Sequence, residues 1–255
     1  MTAEDHWLNS VLATPVLGVL IGAKPSGLLR VNGALAPFLD ALHDETKEVT
    51  IKQSTGETSI ETPDGFIHKF TRTSIGLNVT VHFRYAPEEQ KAAGSLPTLS
   101  YRHKSFGETL AVSLARLRDM VRAMQALEHT SIRKFGLLAQ AELTAAQLPP
   151  GVAKYRDWLS GPWVAEKATL VKSSGSVLVR WPTSKEDKFH DQCHHSLSFD
   201  TDEDPSEFTL TLDYQRVWKD GLSLTQFSSI SDSFRKKSTE YFQDFAFGDR
   251  IWPST

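Results

Sequence analysis

The stretch Ile75-Gly-Leu-Asn-Val-Thr-Val-His-Phe-Arg-Tyr85 decides the class of fold, because its side chains alternate in character along the chain. Leu77, Val79, Val81 and Phe83 are apolar, and the residues between them are polar. Successive side chains of a strand point to opposite faces of a sheet, so the alternation predicts a strand with one buried and one solvated face. Shorter strand-like runs separated by turn residues precede it, which indicates an antiparallel meander.

Two long amphipathic helices are predicted around this and later strands, at Phe106–Leu127 and Leu222–Phe245. Their apolar stripes are Leu110, Leu114, Leu117, Val121 and Met124 in the first helix, and Phe227, Ile230, Phe234, Tyr241 and Phe245 in the second. Each stripe has to be buried against a sheet. We therefore predict an α+β fold of two antiparallel sheet-plus-long-helix halves packed together.

The best candidate for a boundary between the halves is Pro149-Pro150-Gly151, because proline and glycine interrupt regular structure. We place the N-terminal α+β half at residues 1–148 and the C-terminal α+β half at residues 149–255. One compact unit is the alternative.

Composition excludes several classes of protein. With 40% hydrophobic and 23% charged residues, the chain is globular rather than disordered. A net charge of −3 argues against a globally basic nucleic-acid binder, and the single cysteine, Cys193, excludes an intrachain disulfide. The longest apolar run near the N-terminus, Val11–Gly22, is too short to cross a bilayer. We expect a cytoplasmic protein with no membrane partner.

The cluster His190-Asp-Gln-Cys-His-His195 is the strongest candidate for chemistry. His190 and His194 have a spacing found in metal sites, and Cys193 is a soft ligand. Adjacent residues of a strand point to opposite faces, however, and no second cysteine exists to complete a zinc site. We predict no metal site and no cofactor.

Catalytic motifs are missing from the sequence as well. No nucleophile elbow and no phosphate-binding loop has its residues at the required spacing. We assign no catalytic residue and favour a protein that is not an enzyme, while fold class alone leaves an enzyme open.

Basic residues lie on and beside both predicted helices. The candidates for contacts with nucleic acid are Arg116, Arg118, Arg122, Arg133, Lys134, Arg235, Lys236 and Lys237. If they converged, they would follow a phosphate backbone. We favour the other interpretation, in which they are solvated helix faces paired with acidic neighbours such as Asp119 and Glu240.

A small-molecule site between the sheet and the final helix is a further candidate. Phe227, Phe234 and Tyr241 would line it, because they share the apolar stripe of that helix.

The order of elements resembles that of a sporadically distributed bacterial family of uncharacterised proteins. The similar segments are Pro15–Ile21, Tyr101–Leu127 and Phe234–Gly248, together with Gly136-Leu137 in the strand after the first long helix. The resemblance implies a bacterial origin and an accessory role. It also implies a connection with mobile elements or phage defence, because such families are scattered among genomes.

The leading hypothesis for function is therefore a non-enzymatic interaction protein, a subunit of a bacterial phage-defence or mobile-element-associated complex. The expected partner is another protein or a second copy of the chain. One alternative is a nucleic-acid-associated protein with a local basic surface. The other is a small-molecule-binding protein with its site at the C-terminal helix.

Overall fold

The computed structural model of the chain describes residues 7–8, 12, 15–24, 28, 30–84, 87–90, 98–101, 105–160, 172–182, 188–200 and 207–248. The chain divides into two compact units. The first unit comprises Val16–Lys134 and Gly221–Ser228, and the second comprises Met1–Pro15, Phe135–Asp220 and Ser229–Thr255. Each combines antiparallel strands with helices, so the predicted α+β class is confirmed.

The boundaries of these units differ from the predicted halves 1–148 and 149–255. A short C-terminal stretch, Gly221–Ser228, belongs with the N-terminal residues of the first unit. The division into halves at residues 1–148 and 149–255, or one compact unit, stays a prediction.

Five strands form the sheet of the first unit, in the order β2-β3-β4-β5-β1. Their bounds are β1 Val16–Gly22, β2 Thr50–Ser54, β3 Glu57–Glu61, β4 Phe66–Thr73 and β5 Gly76–Phe83. All neighbours pair antiparallel, as the meander prediction requires. A separate pair joins β6 Pro87–Gln90 to β7 Thr98–Tyr101.

Strand β5 has the alternation that its sequence predicts. Leu77, Val79, Val81 and Phe83 are buried, and the polar residues between them are half-buried. The strand is shorter than predicted because Ile75 lies in the turn before it and is 63% exposed.

Two helices belong to the first unit: α1 Val31–Thr46 and α2 Phe106–Met124. A capping box starts α2, since the Ser105 hydroxyl accepts from the Glu108 amide at 3.2 Å and the Glu108 carboxylate accepts from the Ser105 amide at 3.0 Å. The whole predicted apolar stripe of α2 is buried, and the helix packs on β1, β5 and α1.

Four strands in the order β8-β11-β10-β9 characterise the second unit. They are β8 Ser131–Thr144, β9 Lys172–Arg180, β10 Phe189–Asp200 and β11 Glu207–Leu222. The central strand β10 pairs antiparallel with both β9 and β11. In the described residues of this unit the helices are α3 Pro150–Ser160 and, from Ser229 onward, α4 Phe227–Phe247.

Helix α4 begins five residues later than predicted, at Phe227 rather than Leu222. Strand β11 continues to Leu222, and the Ser223 hydroxyl then accepts from the Thr225 amide to cap a short 3-10 helix at Leu224–Gln226. The backbone therefore leaves the strand through a capped turn.

Aromatic packing holds α4 within the second unit. The Phe234 ring stacks on Phe135 of β8 with a centroid separation of 3.9 Å, and both residues are fully buried. Gly151 lets α3 approach closely, because a Cβ atom there would clash with the Phe245 carbonyl oxygen. The Trp7 indole donates to the Phe242 carbonyl at 3.1 Å, which ties an N-terminal residue to the same helix.

No helix in the described part of the chain is long and apolar enough to span a bilayer.

The Phe135–Phe234 contact predicts a large loss of stability on truncation. We expect Phe234→Ala to lower the free energy of unfolding by about 3–5 kcal/mol, because it removes a buried ring and leaves a cavity. Leu178→Ala is the control: Leu178 is 53% exposed, so its loss should change stability by less than about 1 kcal/mol. Urea unfolding followed by circular dichroism measures both. Equal effects of the two substitutions would contradict this description of the core.

Candidate functional site

A cavity of about 360 Å³ opens on the second unit beside α4; we call it the aromatic pocket. Four rings lie in its wall, those of Trp181, Phe189, Tyr214 and Tyr241. Its polar groups are those of His190, Asp191, Lys237, Glu240 and Asp244. The size falls in the range of small-molecule sites, roughly 300–1,000 Å³, and the lining is about as polar as it is apolar.

The strands and the helix each contribute to this pocket for a local reason. Phe189, His190 and Asp191 begin β10, and the Trp181 amide just beyond β9 donates to the Asp191 carbonyl at 3.0 Å. On α4, the pocket residues recur at a spacing of three or four, from Lys237 to Asp244. That spacing places their side chains on one face of a helix.

Asp191, which lines the aromatic pocket, belongs to a buried ion pair. Asp191 and Arg216 are directly opposite each other in the β10–β11 register. The Asp191 carboxylate accepts from Arg216 Nε at 2.7 Å and from its NH2 group at 2.8 Å, and it also accepts from the Tyr214 hydroxyl at 2.9 Å. The guanidinium lies 4.2 Å from the Phe189 ring centroid. The negative charge of the carboxylate is thus neutralised in place.

The Tyr214 hydroxyl is held as a donor. Burial, followed by the nearby Asp191 carboxylate, raises the pKa of Tyr214 well above its ordinary value. The phenol therefore stays protonated at any physiological pH and keeps its hydrogen bond to Asp191.

A second polar contact lies behind the pocket, between Tyr241 and His195. The Tyr241 hydroxyl and His195 Nε2 are 2.5 Å apart, and the two rings are stacked. Burial lowers the pKa of His195 to about 4, so its imidazole is neutral at pH 7. Burial also raises the pKa of Tyr241. The contact therefore joins two uncharged groups, and the tautomer of His195 sets which of them donates.

The three weak metal candidates do not come together on β10. His190 is half-buried at the pocket, Cys193 is buried, and His194 is exposed. Burial raises the pKa of the Cys193 thiol, which disfavours the thiolate that a metal would need. Among the described residues, no group of three or more His, Cys, Asp or Glu side chains could hold a metal ion.

The predicted basic residues have different environments. Arg116 is buried: it donates to the Asp64 carboxylate at 2.7 Å and to the Thr62 hydroxyl at 3.0 Å, and it lies over the Phe66 ring. Its guanidinium therefore contributes to the interior of the first unit. Arg122 is exposed and pairs with Asp119 at 3.0 Å.

The other candidates divide between the two units. Arg118 and Lys134 are half-buried and Arg133 is exposed in the first unit, whereas Arg235, Lys236 and Lys237 are exposed on α4 in the second. Lys236 pairs with Glu240 at 3.8 Å, and Lys237 lines the aromatic pocket. A single nucleic-acid surface built from the whole set stays a prediction.

The three predicted pocket residues also separate. Phe227 and Phe234 are fully buried, whereas Tyr241 lines the aromatic pocket. Trp181, Phe189 and the Asp191–Arg216 pair were not among the site residues predicted from the sequence. The strand register that brings these residues together depends on long-range pairing, which the sequence does not show. The run His190–His195 drew attention to the strand that contributes to the pocket, but as a candidate metal site.

No protein-family model matches the chain. No curated protein is significantly similar to it. Among solved structures, a rolling circle replication initiator protein from Geobacillus stearothermophilus aligns over 87% of this chain and 80% of its own, with 7% sequence identity and a TM-score of 0.30.

We withdraw the function predicted from the sequence, a non-enzymatic interaction subunit of a phage-defence or mobile-element complex. The comparisons give it no support, and the structure that they find is named as a rolling circle replication initiator. The predicted protein partner has no support from the comparisons either. At this identity and TM-score, the initiator's own role is not transferred to this chain.

The pKa of His195 predicts how stability responds to acid. The folded-state pKa of about 4 lies below the ordinary value of 6.5, so this group contributes stability above pH 6.5 that is lost as pH falls towards 4. We expect His195→Gln to reduce the difference in unfolding free energy between pH 7 and pH 4.5 by about 2 kcal/mol.

Urea unfolding at the two pH values measures this difference. Exposed His43 on α1 offers the control, since His43→Gln should leave the pH dependence within about 0.5 kcal/mol of the parent. An unchanged pH dependence in His195→Gln would show that His195 is protonated equally in the folded and unfolded states.

Proposed function

We propose that this chain binds single-stranded nucleic acid, with one base held in the aromatic pocket. The observation that carries the proposal is the pocket itself: four aromatic rings line a cavity, and its Asp191 carboxylate is already neutralised by Arg216. The rings favour a flat ligand, and the polar groups favour one that makes hydrogen bonds. A nucleotide base has both properties, and Lys237 at the pocket can pair with the nucleotide's phosphate.

The rings supply the stacking surface. Trp181 and Phe189 are half-buried, so part of each ring is open to solvent. Trp181 is fixed in orientation, because its ring meets Tyr241 edge-on at 5.0 Å and Tyr214 at 5.9 Å. Stacking of a base on such a ring contributes about 1–3 kcal/mol, and it tolerates every base.

The charges at the pocket suit a phosphodiester backbone. Exposed Lys237 lies at the pocket, where it can pair with one phosphate. Of the acidic groups there, Asp191 is bound to Arg216, Glu240 is within 3.8 Å of Lys236, and Asp244 is exposed. The Glu240 and Asp244 carboxylates can accept hydrogen bonds from the amino groups of bases.

Strand binding should depend on Trp181 and on Lys237. For a fluorescein-labelled 12-nucleotide single strand, we expect Trp181→Ala to weaken binding by about 5- to 150-fold, since it removes one stacked base. Lys237→Ala should lower the slope of log affinity against log salt by about 0.7, which corresponds to one lost phosphate contact. Fluorescence anisotropy at several salt concentrations measures both quantities.

The chain supplies matched controls for this experiment. Trp158 is 59% exposed and outside the pocket, and Arg235 is an exposed cation on the same helix as Lys237 but does not line the pocket. Trp158→Ala and Arg235→Ala should therefore change affinity less than Trp181→Ala and Lys237→Ala do. Absence of binding at low salt, or equal effects within each pair, would overturn the proposal. Binding of a mononucleotide as tightly as the strand would replace it with a free-nucleotide site.

A further inference from the structure

The first unit contains a second cavity, of about 460 Å³, between α1 and α2. We call it the interhelix cavity. It exists because the side chains that face it are small. They are Ala34 and Ala41 on α1, Ala123 on α2, and Ala126 just after α2 ends. Pro37 and Phe38 complete its apolar wall. The proposed nucleic-acid site does not involve this cavity.

Charged groups are confined to a few positions in the lining. They are Glu45 on α1 and Arg116, Asp119 and Arg122 on α2. Arg122 and Asp119 pair with each other at 3.0 Å, so their charges cancel. Arg116 is bound by Asp64, which contacts both of its terminal nitrogens, at 3.3 and 2.7 Å.

With Asp64 and Asp119 paired to the two guanidinium groups, the carboxylate of Glu45 is the negative charge in excess. Its carboxylate lies 3.5 Å from Arg116, farther away than Asp64, and its side chain is 67% exposed. Glu45 is also in the last turn of α1, which ends at Thr46. The carboxyl end of a helix carries a partial negative charge, which favours a nearby cation.

We propose that the interhelix cavity binds a small apolar amine, with its hydrocarbon part between α1 and α2 and its ammonium group at Glu45. The apolar wall excludes a strongly hydrated ligand, because the ligand would lose water without gaining hydrogen bonds. The surplus carboxylate distinguishes an ammonium ion from an uncharged or anionic ligand of the same shape.

Three probes of matched shape test the class of ligand: 4-phenylbutylamine, 4-phenylbutanol and 4-phenylbutyrate. Titration calorimetry of the full chain should detect the amine with a Kd on the order of 1 mM, as expected for a ligand of this size. We expect the alcohol to bind about tenfold more weakly and the carboxylate more weakly still. Equal binding of the three, or tighter binding of the carboxylate, would overturn the charge assignment.

Two substitutions separate the charge from the cavity. Glu45→Gln should bring the affinity for the amine down to that for the alcohol, while Asp44→Asn, an exposed neighbour on α1 that does not line the cavity, should leave it unchanged. Ala41→Trp should abolish binding of all three probes, because Ala41 is exposed and its larger replacement fills the opening. Circular dichroism checks that each variant is folded.

The outcomes are distinct. No binding of any probe up to about 10 mM would refute the site. Retained amine binding in Ala41→Trp would place the amine elsewhere on the molecule. Loss of strand binding with retained amine binding would refute the proposed function alone.

Discussion

The buried ion pair between Asp191 and Arg216 is the interaction on which the second unit's functional surface depends. The two side chains are opposite each other on adjacent strands and almost fully excluded from water. Each charge needs the other, because one buried charge left alone costs about 3–5 kcal/mol. Around the pair, Tyr214 donates to the carboxylate and Phe189 packs on the guanidinium. The pair thereby fixes two of the four rings of the aromatic pocket.

The proposed ligand is polyanionic and the chain is acidic, and the same pair removes part of this conflict. A net charge of −3 gives no general attraction to nucleic acid, so affinity has to come from a local site. At the aromatic pocket, the Asp191 carboxylate is neutralised within the protein, and Lys237 remains at the rim. Stacking on the half-buried rings of Trp181 and Phe189 should then contribute more than long-range attraction. We therefore expect the affinity for a strand to depend only weakly on salt.

Much of the fold could be predicted from the sequence, because hydrophobic periodicity is a local property. The alternation in β5 and the stripe of α2 both appear in the structure where the pattern indicated them. The start of α4 was misplaced, since Ser223 caps a turn that periodicity does not show. The site was largely missed. Asp191 and Arg216 are 25 residues apart, and only strand register makes them neighbours.

A double-mutant cycle on Asp191 and Arg216 tests most directly whether this pair organises the site. Asp191→Asn, Arg216→Gln and the double variant would be unfolded in urea, and their affinity for a single strand would be measured in parallel. The account predicts a coupling energy of at least about 2 kcal/mol in stability. The double variant should lose less stability than the sum of the losses in the two single variants. It also predicts weaker strand binding in both single variants. Additive effects within about 0.5 kcal/mol, with strand binding unchanged, would contradict it.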